Sequence, residues 1–155
     1  MKLAFRAIAA AAALAAGIGF AVSAWADAAS SQEARSALMK ANGGASAALK
    51  KAFEACGTDT AEIQKQAAIL AANGSKSIDE LFPQGSGPEA VKTRAKPEIW
   101  SNLAEFKATW ETFSKTTTAL NDAAKKGDMA AAKAAYEENG KACGACHTKF
   151  RGPAL

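Results

Sequence analysis

The residues best suited to chemistry stand near the C-terminus, in the run Cys143-Gly144-Ala145-Cys146-His147. Two cysteines separated by two residues and followed by a histidine form the pattern through which haem c is attached. On a helix, positions i, i+3 and i+4 share a face, so both thiols can add to the haem vinyl groups while the imidazole reaches the iron. The motif therefore predicts haem c bound covalently at Cys143 and Cys146, with His147 as an iron ligand.

Two other chemistries use the same residue types. A redox dithiol would leave the histidine incidental, yet His147 is the only histidine in the chain. A structural zinc site would need a fourth ligand, and only the thiol of Cys56 remains to supply it. Haem attachment explains the pattern better than either. Cys56 is then expected to be a buried free thiol, with an intermolecular disulfide as the alternative.

The N-terminal residues have the pattern of a secretory signal. Lys2 and Arg6 precede an apolar run over residues 7–22, and Ala24-Trp25-Ala26 forms an Ala-x-Ala cleavage site. We therefore predict a signal peptide over residues 1–26, cleaved after Ala26. Export is expected to place the protein in the periplasm of a Gram-negative bacterium.

Cleavage would leave residues 27–155, which is near the usual size of one domain. This part carries 17 basic and 15 acidic side chains, an excess too small to suggest a nucleic-acid partner. A retained membrane anchor is the alternative, but a span needs about 20 apolar residues, and residues 7–23 include two glycines and a serine. We expect no membrane anchor after cleavage.

Alanine, lysine and glutamate are abundant in residues 27–155, and no alternating run of strand type occurs, so the domain is predicted to be all-α. Ser30 and Glu33 form a capping-box signal for a first helix that should end near Cys56-Gly57. Its buried face is predicted to consist of Leu38, Asn42, Ala45, Leu49 and Phe53.

A second helix is predicted from Thr58 or Asp59, either of which can cap it, to Asn73-Gly74. Residues 75–96 hold two prolines and two glycines among polar residues, which is typical of a long connection. The apolar side chains expected to fold back from this crossover onto the bundle are Ile78, Leu81 and Phe82.

Pro97 suits the first turn of a third helix, because its missing N–H would have no partner there. That helix carries an aromatic stripe and should stop at Gly127, after which Asp128 caps a fourth helix ended by Pro153. Two short connections and a long one predict an antiparallel four-helix bundle with a long crossover between helices 2 and 3.

With its haem motif near the C-terminus, the chain resembles the class II c-type cytochromes, the cytochrome c-prime family. The resemblance covers residues 27–155. It includes Leu81-Phe82-Pro83, Pro97-Glu98-Ile99-Trp100, and Lys141-Ala142 leading into the haem motif, with Phe150-Arg151 after it. It implies one haem, electron transport rather than enzymatic catalysis, and periplasmic redox proteins as partners. Relatives often form homodimers through their first two helices.

The resemblance leaves a choice at the sixth iron position. High-spin members keep it open and bind small gases such as nitric oxide or carbon monoxide, whereas the low-spin cytochrome c-556 branch fills it with a first-helix methionine. Residues 38–43 look like that ligand segment, with Met39 at the ligand position. Met129 lies 18 residues before His147 on the same predicted helix, or about 27 Å away, so it cannot reach the iron. We expect His147/Met39 ligation, with Met39 as core filler the alternative.

Two arginines are candidate haem-binding residues by the same resemblance. Arg151 matches an arginine that lies against the haem in the family; a solvated helix end is the alternative. Arg35 precedes Met39 by one turn and could approach a propionate, or lie on the surface. Lysines that could attract an acidic redox partner, or simply be solvated, are Lys125, Lys126, Lys141 and Lys149.

Overall fold

The computed structural model of the chain describes residues 16–55 and 59–155, with side chains from residue 27 onward. Most of the predicted signal peptide, and Cys56 with its expected free thiol, lie outside the described residues. The helices are α1 (Ala16–Glu54), α2 (Thr60–Gly74), α3 (Ile78–Leu81), α4 (Glu98–Ser101), α5 (Leu103–Lys125) and α6 (Met129–Phe150).

The four long helices pack as a bundle. Helix α5 packs along α6, and α2 packs against both α1 and α5. Short connections join α1 to α2 and α5 to α6, whereas a long crossover with the single-turn helices α3 and α4 joins α2 to α5. The predicted antiparallel four-helix bundle with its long crossover is confirmed. Within the described ranges, no helix is long and apolar enough to cross a membrane.

Local side-chain chemistry sets several helix ends as predicted. The Asp59 carboxylate accepts a hydrogen bond from the backbone N–H of Glu62 at 3.0 Å and so caps α2. The Asp128 carboxylate accepts from the N–H of Ala131 at 2.9 Å and caps α6 in the same way. Gly127 has φ of 74°, a left-handed conformation that a glycine adopts without strain, and it separates α5 from α6.

The predicted start of the first helix at Ser30 is wrong for the full chain. Helix α1 continues through this position, and the Ser30 hydroxyl donates to the Asp27 carbonyl one turn earlier at 3.0 Å. A serine inside a helix satisfies its hydroxyl in this manner rather than capping a new helix. The alanine-rich sequence before it has high helix propensity and supplies no breaker, so the helix does not stop.

The predicted third helix is broken in two. Asn102, with φ of −130° and ψ of 52°, separates the single turn of α4 from α5. Its side-chain amide donates to the Glu105 carboxylate, a local bond of the kind with which asparagine competes against helical structure. The Trp100 indole N–H also donates to the Pro83 carbonyl at 2.9 Å, which holds α4 against the crossover.

The core divides into two clusters along the bundle. What we call the aromatic cluster lies near the haem motif and consists of Leu38, Ile78, Leu81, Phe82, Ile99, Phe106, Trp110, Phe113 and Phe150. The alanine cluster lies toward the other end and consists of Ala45, Leu49, Ala52, Ile63, Ala67, Leu70, Leu120, Ala124 and Ala132. The predicted burial of the crossover side chains is confirmed, because three of them belong to the aromatic cluster.

Close helix contact in the bundle depends on Gly74. A Cβ atom at this position would lie 2.5 Å from the Thr117 hydroxyl oxygen and 3.3 Å from the Ser114 Cα. Because the second contact is with backbone, a side chain here would push α2 and α5 apart. Gly74 therefore both ends α2, as predicted, and permits the approach of α5.

Tyr136 links α6 to α1. Its hydroxyl donates to the Ser46 carbonyl at 3.0 Å, and its ring centroid lies 5.6 Å from that of Phe53. Burial, followed by the charge of Glu54, raises the pKa of Tyr136 above its ordinary value of 10.0. The folded protein thus holds the phenol neutral at a pH where the unfolded chain already ionises it.

We predict that Tyr136→Phe lowers the free energy of unfolding by about 1 kcal/mol at pH 7, because one hydrogen bond is lost. The difference in unfolding free energy between the parent and the variant is fully present below pH 10. It decreases as the pH rises through the raised pKa of Tyr136. Urea unfolding of both haem-loaded proteins at pH 7 and pH 11 measures it. Tyr136 is the only tyrosine, so a difference that stays constant with pH would contradict the prediction.

Candidate functional site: the haem cavity

A cavity of about 540 Å³ lies between the middle of α1, the crossover and the end of α6. One face of α1 borders it at helical steps of three and four, through Gln32, Arg35, Ser36, Met39, Lys40 and Gly43. The aromatic cluster borders the cavity through Phe82, Ile99, Phe106, Trp110 and Phe150. The cavity therefore has an apolar interior and one polar helical wall.

Helix α6 brings the haem motif to this cavity. Cys146 and His147 line it, while Cys143 is half-buried one turn earlier and packs against the aromatic cluster. The Cys143 thiol contacts the buried Asn139 amide oxygen at 3.8 Å, and the Asn139 amide nitrogen donates to the Thr116 hydroxyl at 3.0 Å. Neither cysteine forms a disulfide bond with another described residue.

The protonation of the motif argues against the redox dithiol. Burial raises the pKa of Cys143, and burial together with the neighbouring Cys143 raises the pKa of Cys146 to about 11. Thiols of this kind are protonated at neutral pH, whereas a reactive dithiol needs a thiolate. Burial, and then the charges of Arg151 and Arg94, lower the pKa of His147. The imidazole is therefore neutral and has a lone pair for a metal.

Met39 stands on the polar wall of the cavity. It lines the same space as His147, from α1 rather than α6, and 37% of its surface is exposed. Met129 packs instead beside the alanine cluster. Of the two methionines after residue 26, Met39 alone borders the cavity.

Arg35 is almost completely buried, with 5% of its surface exposed, so the surface alternative for this residue is wrong. Its Nη1 donates to the Leu81 carbonyl at 3.0 Å and to the Ser86 hydroxyl at 2.8 Å, and its Nη2 donates to the Ser86 carbonyl at 2.8 Å. The guanidinium also lies over the rings of Phe82, at 5.0 Å, and Trp100, at 5.9 Å. Arg35 thereby fastens α1 to the crossover.

The buried charge of Arg35 has no carboxylate partner among the described residues. A guanidinium has five N–H donors, and the three bonds above leave one hydrogen on Nη2 and the Nε–H available. The indole N–H of Trp110, another residue of the cavity wall, is buried and has no acceptor among the described residues. Buried cations and donors are normally paired, so these groups would suit an anionic ligand in the cavity.

The end of α6 is held by a short backbone pairing that we call the C-terminal strap, formed by residues 94–96 and 150–152. The Lys96 N–H donates to the Phe150 carbonyl at 3.0 Å, and the Gly152 N–H donates to the Arg94 carbonyl at 2.7 Å. The Arg94 guanidinium returns two bonds to the Gly152 carbonyl, at 3.0 and 2.9 Å. Arg151 is exposed and borders the cavity beside the strap.

Arg94 and Trp110 are cavity residues whose contribution to the site the sequence did not reveal. Arg94 lies in the crossover, where no periodic pattern marks a side chain as buried or bound. Trp110 belongs to the aromatic stripe of the predicted third helix and packs in the aromatic cluster, but no sequence signal marks its buried N–H, which has no acceptor among the described residues. Both depend on contacts between segments distant in the chain.

The donor set fits haem c. The Cys146 thiol and the His147 imidazole line an apolar cavity, and the Cys143 thiol lies one helical turn earlier. The buried guanidinium of Arg35, on the wall of the same cavity, has no carboxylate partner among the described residues. A zinc site lacks comparable support, because no group of three or more metal-binding His, Cys, Asp or Glu side chains occurs in the described part of the chain.

Comparison with known proteins agrees with this chemistry. The sequence profile of the family described as cytochrome c' matches residues 30–151. The chain is 35% identical over 119 residues to cytochrome c' of Pararhodospirillum photometricum, covering 77% of this chain and 94% of that relative. It is 32% identical over 124 residues to cytochrome c-556 of Agrobacterium tumefaciens, with the same two coverages. The alignment to cytochrome c' of Rubrivivax gelatinosus is 48% identical over 78 residues, or 48% of this chain and 60% of that relative.

The fold has close counterparts among solved structures. Cytochrome c' of Thermochromatium tepidum superimposes with a TM-score of 0.74 at 30% identity, covering 79% of this chain and 95% of that one. A cytochrome c' described as having ligand-controlled dimer dissociation also superimposes with a TM-score of 0.74, at 27% identity and with coverages of 80% and 95%. The chain therefore belongs to the cytochrome c' family of class II c-type cytochromes, and it binds haem c covalently through Cys143 and Cys146.

Proposed function

We propose that this protein is a periplasmic mono-haem electron carrier in which His147 and Met39 are the two iron ligands. The observation that carries the proposal is that these two side chains border one cavity from two different helices. Haem c supplies an iron that cycles between the ferric and ferrous states. A thioether ligand in addition to histidine would favour the ferrous state and would exclude small molecules from the iron, which suits electron transfer.

The surrounding residues have separate tasks in this proposal. The aromatic cluster keeps water from the buried side of the cavity through Ile99, Phe106 and Phe150, each of which is at most 3% exposed. Arg35 is suited to binding a propionate, because its two unused donors lie on adjacent nitrogens and carboxylates accept such bonds in pairs. Arg151, exposed at the edge of the cavity, is proposed to supply a second positive charge near the haem.

A five-coordinate protein that binds small gases is the second candidate. The 37% exposure of Met39 favours it, because a side chain so loosely held could lie beside the porphyrin instead of binding the iron. Similar proteins carry both the names cytochrome c' and cytochrome c-556. The ligand at the sixth position distinguishes the two candidates.

We predict that the parent protein shows low-spin ferric and ferrous spectra that do not change with carbon monoxide. In Met39→Ala the sixth position loses its ligand, so the spectrum becomes high-spin and carbon monoxide binds. Met129→Ala is the matched control, because it removes a methionine that packs beside the alanine cluster. If the parent protein is already high-spin and binds carbon monoxide, the gas-binding function must replace the electron-carrier function.

We predict that Arg35→Lys lowers the free energy of unfolding by about 2 kcal/mol, because an ammonium cannot reproduce the forked bonds to Leu81 and Ser86. Exposed Arg151 provides the control, and Arg151→Lys should change stability by less than about 0.5 kcal/mol. Guanidinium-chloride unfolding of the haem-loaded variants gives both values. Equal losses at the two positions would mean that the buried bonds of Arg35 contribute little.

Export and assembly complete the proposal. We propose that residues 1–26 are removed after Ala26, that the processed protein has no membrane anchor, and that it forms a homodimer. A similar cytochrome c' is described as a dimer that dissociates under ligand control. Redox proteins of the periplasm are the proposed partners.

The mass of the haem-loaded protein, isolated from the periplasm of a Gram-negative host, should correspond to residues 27–155 plus one haem. Cleavage after Ala26 is expected because small residues occupy both positions that signal peptidase recognises. As a control, Ala24→Arg and Ala26→Arg together should block cleavage. A parent that retained residues 1–26 and stayed with the membranes would contradict the proposed processing.

A further inference from the structure

Six basic residues belong to the three segments that border the haem cavity, and we call this set the cationic rim. It consists of Lys40 on α1, Lys92, Arg94 and Lys96 on the crossover, and Lys149 and Arg151 at the end of α6. Three of them, Lys40, Arg94 and Arg151, border the cavity directly. Lys40 and Arg151 are exposed, so the cavity opens to solvent among these charges.

The C-terminal strap creates the rim by joining two basic segments, residues 92–96 and 149–151. The Lys96 N–H donates to the Phe150 carbonyl at 3.0 Å, and the Lys96 ammonium donates to the Lys149 carbonyl at 3.2 Å. Backbone pairing thus holds like charges next to each other. Such an arrangement is unfavourable by itself, because neighbouring cations repel.

The rim also differs from the rest of the described surface in its lack of carboxylates. Elsewhere, lysines on α1, α2, α5 and α6 pair with glutamates three or four residues away. In the described part of the chain, Lys149 is the only rim residue that forms an ion pair, and its partner is Glu105 on α5. Among the described residues, no aspartate or glutamate side chain borders the cavity, although Leu155, with the carboxylate of the last residue, does. Basic groups outnumber acidic ones at the opening, which therefore keeps an excess of positive charge.

Bound haem leaves much of this charge in place. A haem carries two propionates, against which the cavity wall presents Arg35 in addition to the rim. A ferric porphyrin contributes one positive charge of its own, and a ferrous one contributes none. The opening thus stays positive in both oxidation states.

We propose that the cationic rim is the docking surface for a redox protein with an acidic surface patch. This inference rests on the proposed electron-carrier function and specifies the partner. A positive rim would attract such a partner at long range and orient it over the opening of the haem cavity, where electrons have the shortest path to the protein surface. Lys92 and Lys40 would act on the rate of encounter rather than on the iron itself.

The first test compares two variants that remove equal charge. Lys40→Gln with Lys92→Gln neutralises two exposed rim residues, and Lys126→Gln with Lys133→Gln neutralises two exposed lysines near the opposite end of the bundle. The measurement is the bimolecular rate at which ferricyanide, a trianion, oxidises the reduced protein in a stopped-flow instrument. At low ionic strength the rim variant should react about threefold to tenfold more slowly than the parent, and the control variant should not.

Salt and probe charge identify the cause of the change. In 1 M salt, where the screening length is about 3 Å, the parent and the rim variant should react at the same rate. With a cationic cobalt phenanthroline oxidant, the rim variant should react faster than the parent. Equal effects of the rim and control variants would overturn the inference, since only net charge would then matter.

A second test uses a protein-sized probe. An acidic flavodoxin should bind the parent more tightly than the rim variant in calorimetric titration at low salt, with the control variant like the parent. Vesicles containing phosphatidylglycerol test the other anionic surface available to the rim. Loss of vesicle binding in the rim variant, with flavodoxin binding unchanged, would assign the rim to lipid and overturn the proposal.

The tests of the cationic rim are independent of the test of the iron ligands. The low-spin spectrum of the parent tests the proposed electron-carrier function, whereas salt-dependent binding of the flavodoxin tests the rim. A high-spin parent would contradict the first, and a low-spin parent whose flavodoxin binding ignores salt and the rim variant would contradict only the second.

Discussion

The buried guanidinium of Arg35 is the interaction on which the haem cavity depends. A cation in an apolar interior must be paired or bound by polar groups, and here the bonds come from the backbone and side chain of the crossover. They hold the part of α1 that carries Met39 against a segment without long helices of its own. The C-terminal strap fastens the same crossover to the end of α6, which carries His147. One irregular segment thus positions both walls of the cavity.

The two core clusters explain why the cavity lies at one end of the bundle. The helices of the alanine cluster pack closely, because their small side chains allow them to approach one another. Large rings separate the helices of the aromatic cluster, and their edges pack against one another, as in the contacts of Phe106 with Phe82 at 4.8 Å and with Phe150 at 5.0 Å. Space for a flat, apolar cofactor remains beside these rings. Bound haem would therefore form part of the core of this protein.

Elements governed by local chemistry were predictable from the sequence. The caps at Asp59 and Asp128 and the stop at Gly127 each involve residues within one turn, and all three are confirmed. Two predictions of helix boundaries were wrong because the local sequence signal did not determine where the helix begins or breaks. Ser30 has the sequence of a cap, yet the helix-favouring residues before it continue the helix. The break at Asn102 was not predicted, because the aromatic stripe continues on both sides of it.

The sequence by itself determined the chemistry of this protein, because the spacing of Cys143, Cys146 and His147 on a helix is a local property. It also determined the four-helix bundle through the period of its apolar residues. Only the tertiary structure decided that Arg35 is buried, through bonds to residues 46 and 51 positions away. The strap likewise joins residues 58 positions apart and gathers the cationic rim. Such contacts depend on how segments pack, and no periodicity within one segment reports them.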